Sequence, residues 1–172
     1  ERRLAAEEER GTVEETALLL EAAEHGDASS QWQLGEMYRK GKGVLQDYGE
    51  AVKWHRKAAD QGYPPSQFQL GLAYMTGKGV EADGEEAETW YRKAGSQGQP
   101  GALHNLGFMY LNGVGVEADN EEAVKWHRKA ADQGYAPSQF QMGFAYRTGK
   151  GVEADGEESE KWFRKCADWY RE

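Results

Sequence analysis

Four pairs of carboxylates recur along the chain and could do general acid–base chemistry. Each pair has the form Asp-x-x-Glu: Asp47/Glu50, Asp83/Glu86, Asp119/Glu122 and Asp155/Glu158. Because all four occupy the same position at the start of a predicted helix, they are better explained as capping boxes. In that motif the Asp side chain accepts a hydrogen bond from a backbone N–H of the first helical turn that has no partner within the helix. The Glu side chain accepts one from the backbone N–H of the Asp. We therefore predict helix caps.

The remaining chemically active residue types give no site. Loops that begin at Gly41, Gly77, Gly113 and Gly149 combine glycine with lysine or valine, but they lack the Walker spacing and a preceding strand. His55 and His127 are copies 72 residues apart, and no histidine pair has metal-ligand spacing. Cys166 stands where other units have alanine, which predicts a buried thiol. We expect no catalytic residue, cofactor or metal, and no enzyme activity.

The elements that carry these residues repeat every 36 positions, as the tryptophans show at Trp54, Trp90, Trp126 and Trp162. A fixed period of this size is typical of a solenoid, in which each unit buries its apolar face against its neighbours. In the first full unit we predict one helix from Ala28 to Lys40 and another from Tyr48 to Gln61. Gly35 interrupts the first helix, and we expect close approach of the paired helix there. Ion pairs in which the acidic residue precedes the basic one by four positions, such as Glu121→Lys125 and Glu160→Arg164, should stabilise the second helices.

The repeat pattern resembles the Sel-one-like repeat family, which is related to the tetratricopeptide repeats. Matching positions in the first unit are Leu34, Gly35, Tyr38, Gly41, Gly43, Val44, Asp47, Ala51, Trp54, Ala58, Ala59 and Gly62. The resemblance implies an all-α, right-handed α-solenoid of antiparallel helix pairs that acts as an adaptor or scaffold, without catalytic residues. A cysteine-rich branch of that family carries disulfides and has been linked to penicillin binding, but its cysteine pattern is missing here.

We expect one continuous solenoid domain with a half repeat at its start. Its predicted parts are an N-terminal helical segment with that half repeat at 1–26, then repeats at 27–62, 63–98, 99–134 and 135–172, the last with a C-terminal helix. Thr12 and Glu15 form the predicted cap of the half repeat, which should end near Gly26.

Net charge limits the classes of partner. At −9, with a pI near 5.1, the chain lacks the basic surface that nucleic acid or an anionic membrane requires. No stretch is long and apolar enough for membrane insertion, and none has the layout of a signal peptide, so the cytoplasm is slightly favoured. We expect a protein or peptide partner, with end-to-end self-association through Trp169 and Tyr170 as a further contact.

The predicted partner surface lies on the first helix of each unit, opposite the buried stripe that contains Leu34. Advancing 100° per residue places aromatic and aliphatic side chains there, beside a row of amides. The candidates are Trp32, Gln33, Glu36 and Arg39; Phe68, Gln69, Leu72 and Met75; His104, Asn105, Phe108 and Leu111; Phe140, Gln141, Phe144 and Arg147. Alternatively, the aromatic position shared by Trp32, Phe68, His104 and Phe140 packs between neighbouring first helices.

An internal duplication bears on this surface. Residues 52–88 and 124–160 agree at 32 of 37 positions, and two of the five differences, Leu72/Phe144 and Met75/Arg147, fall on it. We therefore favour a scaffold that binds a peptide or partner helix along its concave face. The alternatives are a penicillin-binding or hydrolase-like activity, as in the cysteine-rich branch, and a structural spacer within a longer chain.

Overall fold

The computed structural model describes residues 16–169, which form nine helices and no strand. The first, α1, covers 16–24 and ends before Gly26, as predicted. The others are α2 (Ala28–Lys40), α3 (Tyr48–Asp60), α4 (Pro64–Thr76), α5 (Gly84–Ser96), α6 (Pro100–Asn112), α7 (Asn120–Ala131), α8 (Ala136–Thr148) and α9 (Gly156–Trp169). The predicted cap at Thr12 and Glu15, and Tyr170, lie outside the described residues.

The chain divides into two compact units. The first ends at Ala82 and includes α1 to α4, and the second begins at Asp83 and includes α5 to α9. In the first unit α3 packs against both α2 and α4, and in the second each helix from α5 to α8 packs against the next. The result is the all-α repeat fold that the 36-residue period predicts.

The predicted capping boxes form only in part. The Asp47 side chain accepts the Glu50 N–H at 3.0 Å, as predicted. The Asp47 N–H, however, donates to the Tyr38 carbonyl at the end of the preceding helix. It is therefore not available to the Glu50 carboxylate, which pairs with Lys53 at 2.5 Å instead. The prediction that the Glu reaches back is wrong here, because the helical hairpin satisfies that N–H itself.

The charged pairs on the second helices differ in one case from the prediction. Arg164 lies 3.0 Å from Glu160, which confirms that pair. Lys125 pairs with Glu122 at 3.0 Å and not with Glu121, so the predicted Glu121→Lys125 partner is wrong. The i,i+3 pair forms instead of the i,i+4 pair because it brings the lysine to the glutamate of the capping sequence, as it does for Lys53 and Lys161.

Close helix contact explains the glycine inside the first helices, as predicted. A Cβ on Gly35 would lie 2.7 Å from the His55 ring, and one on Gly107 would lie 2.6 Å from the His127 ring. In the last repeat Phe163 fills the same place against Gly143. Gly therefore allows an aromatic ring of the second helix to lie directly on the backbone of the first.

The opposite face of the second helices is held by repeated contacts between cations and aromatic rings. Lys57 lies 3.9 Å from the Trp54 ring centroid, and the same pair recurs in the other three repeats. Cys166 is buried there at 8 % exposure, as predicted for a core thiol. These contacts hold the lysine and tryptophan side chains of each second helix together.

Candidate functional site

A cleft of about 190 Å³ opens in the first unit between α2, α3 and α4, and we call it cleft 1. Its apolar wall comes from α3 and α4 and includes Val52 and Leu72. Polar and charged groups complete the lining, among them Arg39, Gln69 and Lys78. A first helix, its paired second helix and the next first helix are all needed to form it.

A second cleft of about 220 Å³ opens in the second unit between α6, α7 and α8, and we call it cleft 2. Its apolar lining includes Leu111, Val124 and Phe144, and Gln141 and Lys150 supply polar groups.

The two clefts are copies of one structural site. Nine of the ten residues that line cleft 1 have counterparts 72 positions later in cleft 2. Each unit therefore presents the same kind of concavity on its first helices.

Ion pairs fix the charged residues beside cleft 1. The Arg39 guanidinium donates two hydrogen bonds to the Glu36 carboxylate, at 2.8 and 2.7 Å, and the Lys40 ammonium lies 2.7 Å from the same group. Burial alone would raise the pKa of Glu36, but these cations outweigh burial and lower it to about 2. Glu36 is only 9 % exposed, so it positions Arg39 and does not face a partner.

The second unit exposes an aromatic patch, which we define as Phe108, Phe140 and Phe144. Their exposed fractions are 47 %, 48 % and 38 %. Phe163 on α9 supports the patch, since its ring centroid lies 5.4 Å from that of Phe140. Arg147 extends over both Phe144 and Phe163, at 5.5 and 5.1 Å. Three exposed aromatic side chains on neighbouring elements are typical of an interaction surface.

Ser66, His55 and Glu36 form a line that superficially resembles a hydrolytic triad. His55 Nδ1 lies 3.4 Å from Ser66 Oγ, and its Nε2 lies 3.6 Å from Glu36 Oε1. Ser66 is completely buried, so its hydroxyl has no path to a substrate in this conformation. Ser138, also fully buried, contacts His127 in the same way in the second unit. This repetition at buried positions is what a packing contact between repeats produces.

The sequence pattern of the Sel1 repeat matches residues 28–63, 64–99, 100–135 and 136–168. The chain belongs to the Sel1 repeat family. Members of this family are commonly protein-interaction scaffolds. Among curated proteins, no sequence matches the chain.

Solved structures with the same Sel1 repeat fold include c5321, a protective antigen of uropathogenic Escherichia coli strains. It shares 44 % identity and a TM-score of 0.88 over 90 % of this chain and 33 % of its own. A Sel1 repeat protein from Oxalobacter formigenes shares 33 % identity and a TM-score of 0.85 over 89 % and 61 %. The immunity protein PA5088 from Pseudomonas aeruginosa shares 26 % identity and a TM-score of 0.57 over 88 % and 55 %. The chain thus spans a third of the first relative's length and 61 % of the second's.

The Sel1 repeats place the predicted partner-binding residues in three environments. Exposed side chains are Gln33, Phe108, Phe140, Phe144 and Arg147; half-buried ones are Trp32, Arg39, Phe68, Gln69, Leu72, Met75, His104, Asn105, Leu111 and Gln141. Glu36 alone is buried, which corrects its predicted place on the open surface. Cleft 1 brings together Arg39, Gln69 and Leu72, and cleft 2 brings together Leu111, Gln141 and Phe144.

Two of the predicted aromatic residues pack between Sel1 repeats. The Trp32 ring centroid lies 6.2 Å from that of Tyr63, the N-cap residue of α4. His104 Nδ1 lies 2.9 Å from Ser138 Oγ, and its ring lies 5.1 Å from His127 and 5.5 Å from Tyr135. At these two positions the alternative of packing between neighbours describes the structure better.

Sequence reasoning missed Phe163 and the two lysines of the clefts, Lys78 and Lys150. Phe163 occupies the slot that holds histidine or tyrosine in the other repeats, and that departure from the repeat was its only sequence signal. The lysines follow the helix-ending glycines and were assigned only to a turn.

Over the described part of the chain, every helix is too short or too polar to cross a bilayer. Within the same residues no group of three His, Cys, Asp or Glu side chains is arranged to hold a metal ion.

Proposed function

We propose that the protein is a scaffold that holds a peptide or a partner helix against the first helices of its repeats. The observation that carries this proposal is the aromatic patch of Phe108, Phe140 and Phe144, which remains 38–48 % exposed. Large apolar side chains exposed together cost free energy unless a partner covers them. Membership of the Sel1 repeat family supports the same function.

Each cleft can accommodate an individual side chain of such a partner. Phe144 belongs to both the aromatic patch and cleft 2, and Gln141 lies in the same cleft. An amide at that position can donate to and accept from a peptide backbone. Gln69 is its counterpart in cleft 1. Asn105, predicted as part of this amide row, is half-buried and lines neither cleft.

Replacing both Phe108 and Phe144 by aspartate is expected to abolish peptide capture. Each substitution removes an exposed aromatic anchor and introduces a charge, and loss of one such anchor costs about 2 kcal/mol, or about 30-fold in affinity. The test selects a random-peptide phage library on the immobilised protein and counts recovered phage.

Leu45→Asp is the matched control, because Leu45 is 90 % exposed but belongs to a loop of the first unit, whereas the patch belongs to the second. It should recover phage as the unchanged protein does, and both variants should keep their helical circular dichroism. Equal recovery by the folded Phe108/Phe144 variant would contradict the proposed function.

Trp169 supports a second protein contact. Its side chain is 57 % exposed, as an end-to-end contact between copies would require. The other residue of the predicted contact, Tyr170, lies outside the described residues. The contact predicts a concentration-dependent sedimentation coefficient that Trp169→Ser removes, and one that is independent of concentration would contradict it.

A further inference from the structure

The two clefts share their walls but differ in the residues that set their charge. Shared positions include Val52/Val124, His55/His127 and Gln69/Gln141. At the mouth, Arg39 in cleft 1 is replaced by Leu111 in cleft 2, and Leu72 is replaced by Phe144. Two copies of one cavity thus have different chemistry.

Cleft 1 is a basic site on an acidic protein. Arg39 and Lys78 line it, and Lys40 lies beside Arg39 on the same carboxylate. Arg39 and Lys40 both pair with Glu36, and Lys78 adds a further cation to the lining, in a chain whose net charge is −9. Glu36 takes two of the Arg39 N–H groups and holds the guanidinium in place, which leaves its other N–H groups for a ligand.

Apolar surface accompanies the charge in cleft 1. Val52 and Leu72 line the same cavity as the two cations, and Lys78 lies 5.6 Å from the Tyr48 ring centroid. This combination fits a group with a short hydrocarbon stem and an anionic end. The stem packs on Val52 and Leu72 while the carboxylate meets Arg39 and Lys78.

Cleft 2 lacks this complementarity. Leu111 removes the guanidinium, and Phe108 stands on α6 where α2 has Glu36. Lys150 remains, but Leu111, Val124 and Phe144 dominate the lining. A carboxylate buried against these side chains would lose its hydration with little compensation, whereas an apolar side chain would be favoured.

We propose that cleft 1 takes an acidic side chain of a bound peptide, that cleft 2 takes an uncharged apolar side chain, and that the residue at position 39 or 111 decides between them. This inference rests on the proposed function, since it assigns a specificity to the cleft of each unit. Arg39 and Leu111 are then the specificity-determining residues.

The test compares random-peptide phage selections on the unchanged protein, Arg39→Leu and Leu111→Arg. The unchanged protein should enrich some peptides through a conserved acidic position and others through a conserved apolar position. Arg39→Leu should lose the acidic preference, and Leu111→Arg should gain a second one. With a synthetic peptide from the first selection, Glu→Gln or Asp→Asn at the acidic position should weaken binding about tenfold to the unchanged protein and less than about twofold to Arg39→Leu.

Leu111→Arg keeps the test decisive if Arg39→Leu fails to fold once Glu36 loses its partner, because Leu111 has no such ion pair. Circular dichroism identifies the folded variants. Recovery of no peptide by the unchanged protein would overturn the proposed function and this inference together. Peptide enrichment whose acidic preference is the same in every folded variant would overturn this inference and leave the proposed function standing.

Discussion

Replacing Gly115 by alanine is expected to destabilise the second unit by about 2–5 kcal/mol. Gly115 has φ +68, where an L side chain costs about 1–2 kcal/mol. A Cβ there would also overlap the Gly84 backbone at the start of α5, and such overpacking adds about 1–3 kcal/mol. Because the obstacle is backbone, no rotamer change can relieve it. Urea unfolding followed by circular dichroism measures the loss.

Gly113→Ala is the matched control in the same loop. Gly113 has φ +67, almost the same as Gly115, but its added Cβ would lie 3.4 Å from the Ala118 Cβ, an ordinary contact. The Gly113→Ala variant should therefore be destabilised by only the about 1–2 kcal/mol that the left-handed backbone conformation costs an L residue. Equal losses for the two variants would show that close packing of this loop against α5 does not matter.

Mild acid is expected to destabilise the protein through two buried histidines. Burial lowers the pKa of His55 to about 4 and that of His127 to about 3, against 6.5 for the unfolded chain. Between these values the unfolded chain binds more protons, so stability is fully present above pH 6.5 and falls as the pH decreases. Each histidine should contribute a loss of about 2 kcal/mol between pH 7.5 and pH 5.

Neighbouring charges do not reverse the direction of this pH dependence. Near His55, Glu36 favours the protonated ring and Arg39 opposes it, but burial dominates. Near His127, protonation of His104 would add a second cation. The pKa of Glu36 is lowered from 4.5 to about 2, so the stabilisation that this carboxylate contributes to the fold is lost only below about pH 4.5. Urea unfolding at a series of pH values gives the profile.

The chain itself supplies a variant that separates this effect from general acid sensitivity. Phe163 fills against Gly143 the slot that His127 fills against Gly107, so His127→Phe places a proven side chain there. Because His127 alone accounts for about 2 kcal/mol of the loss, this variant should reduce the drop in stability between pH 7.5 and pH 5 by about that amount. An unchanged profile in His127→Phe would show that this ring does not cause the acid sensitivity.

Local rules were enough to predict the helices from the sequence. The period located α2 and α3 to within one residue, and Asp47 caps α3 as its position suggested. Gly35 was correctly interpreted because a helix-disfavouring residue that recurs in every repeat implies a contact that requires it. In each case the sequence pattern spans only a few residues and has one dominant physical cause.

The features that were not predicted from the sequence depend on contacts between separate elements. Spacing on one helix placed Glu36 on the open face, but it could not show that His55 of α3 would lie 3.6 Å from its carboxylate. The Tyr38 carbonyl that takes the Asp47 N–H belongs to another helix. Clefts 1 and 2 each need three helices, so helical periodicity indicated some of their residues without predicting a cavity.

The central claim is that the first helices hold a partner, and nuclear magnetic resonance of a selected peptide bound to the labelled protein tests it most directly. The account predicts chemical-shift changes concentrated on Phe108, Phe140 and Phe144 and on the residues of cleft 2. Resonances of the Trp126–Lys129 pair, on the opposite face of α7, should remain in place. Shift changes confined to the second helices, with the aromatic patch unperturbed, would contradict the account.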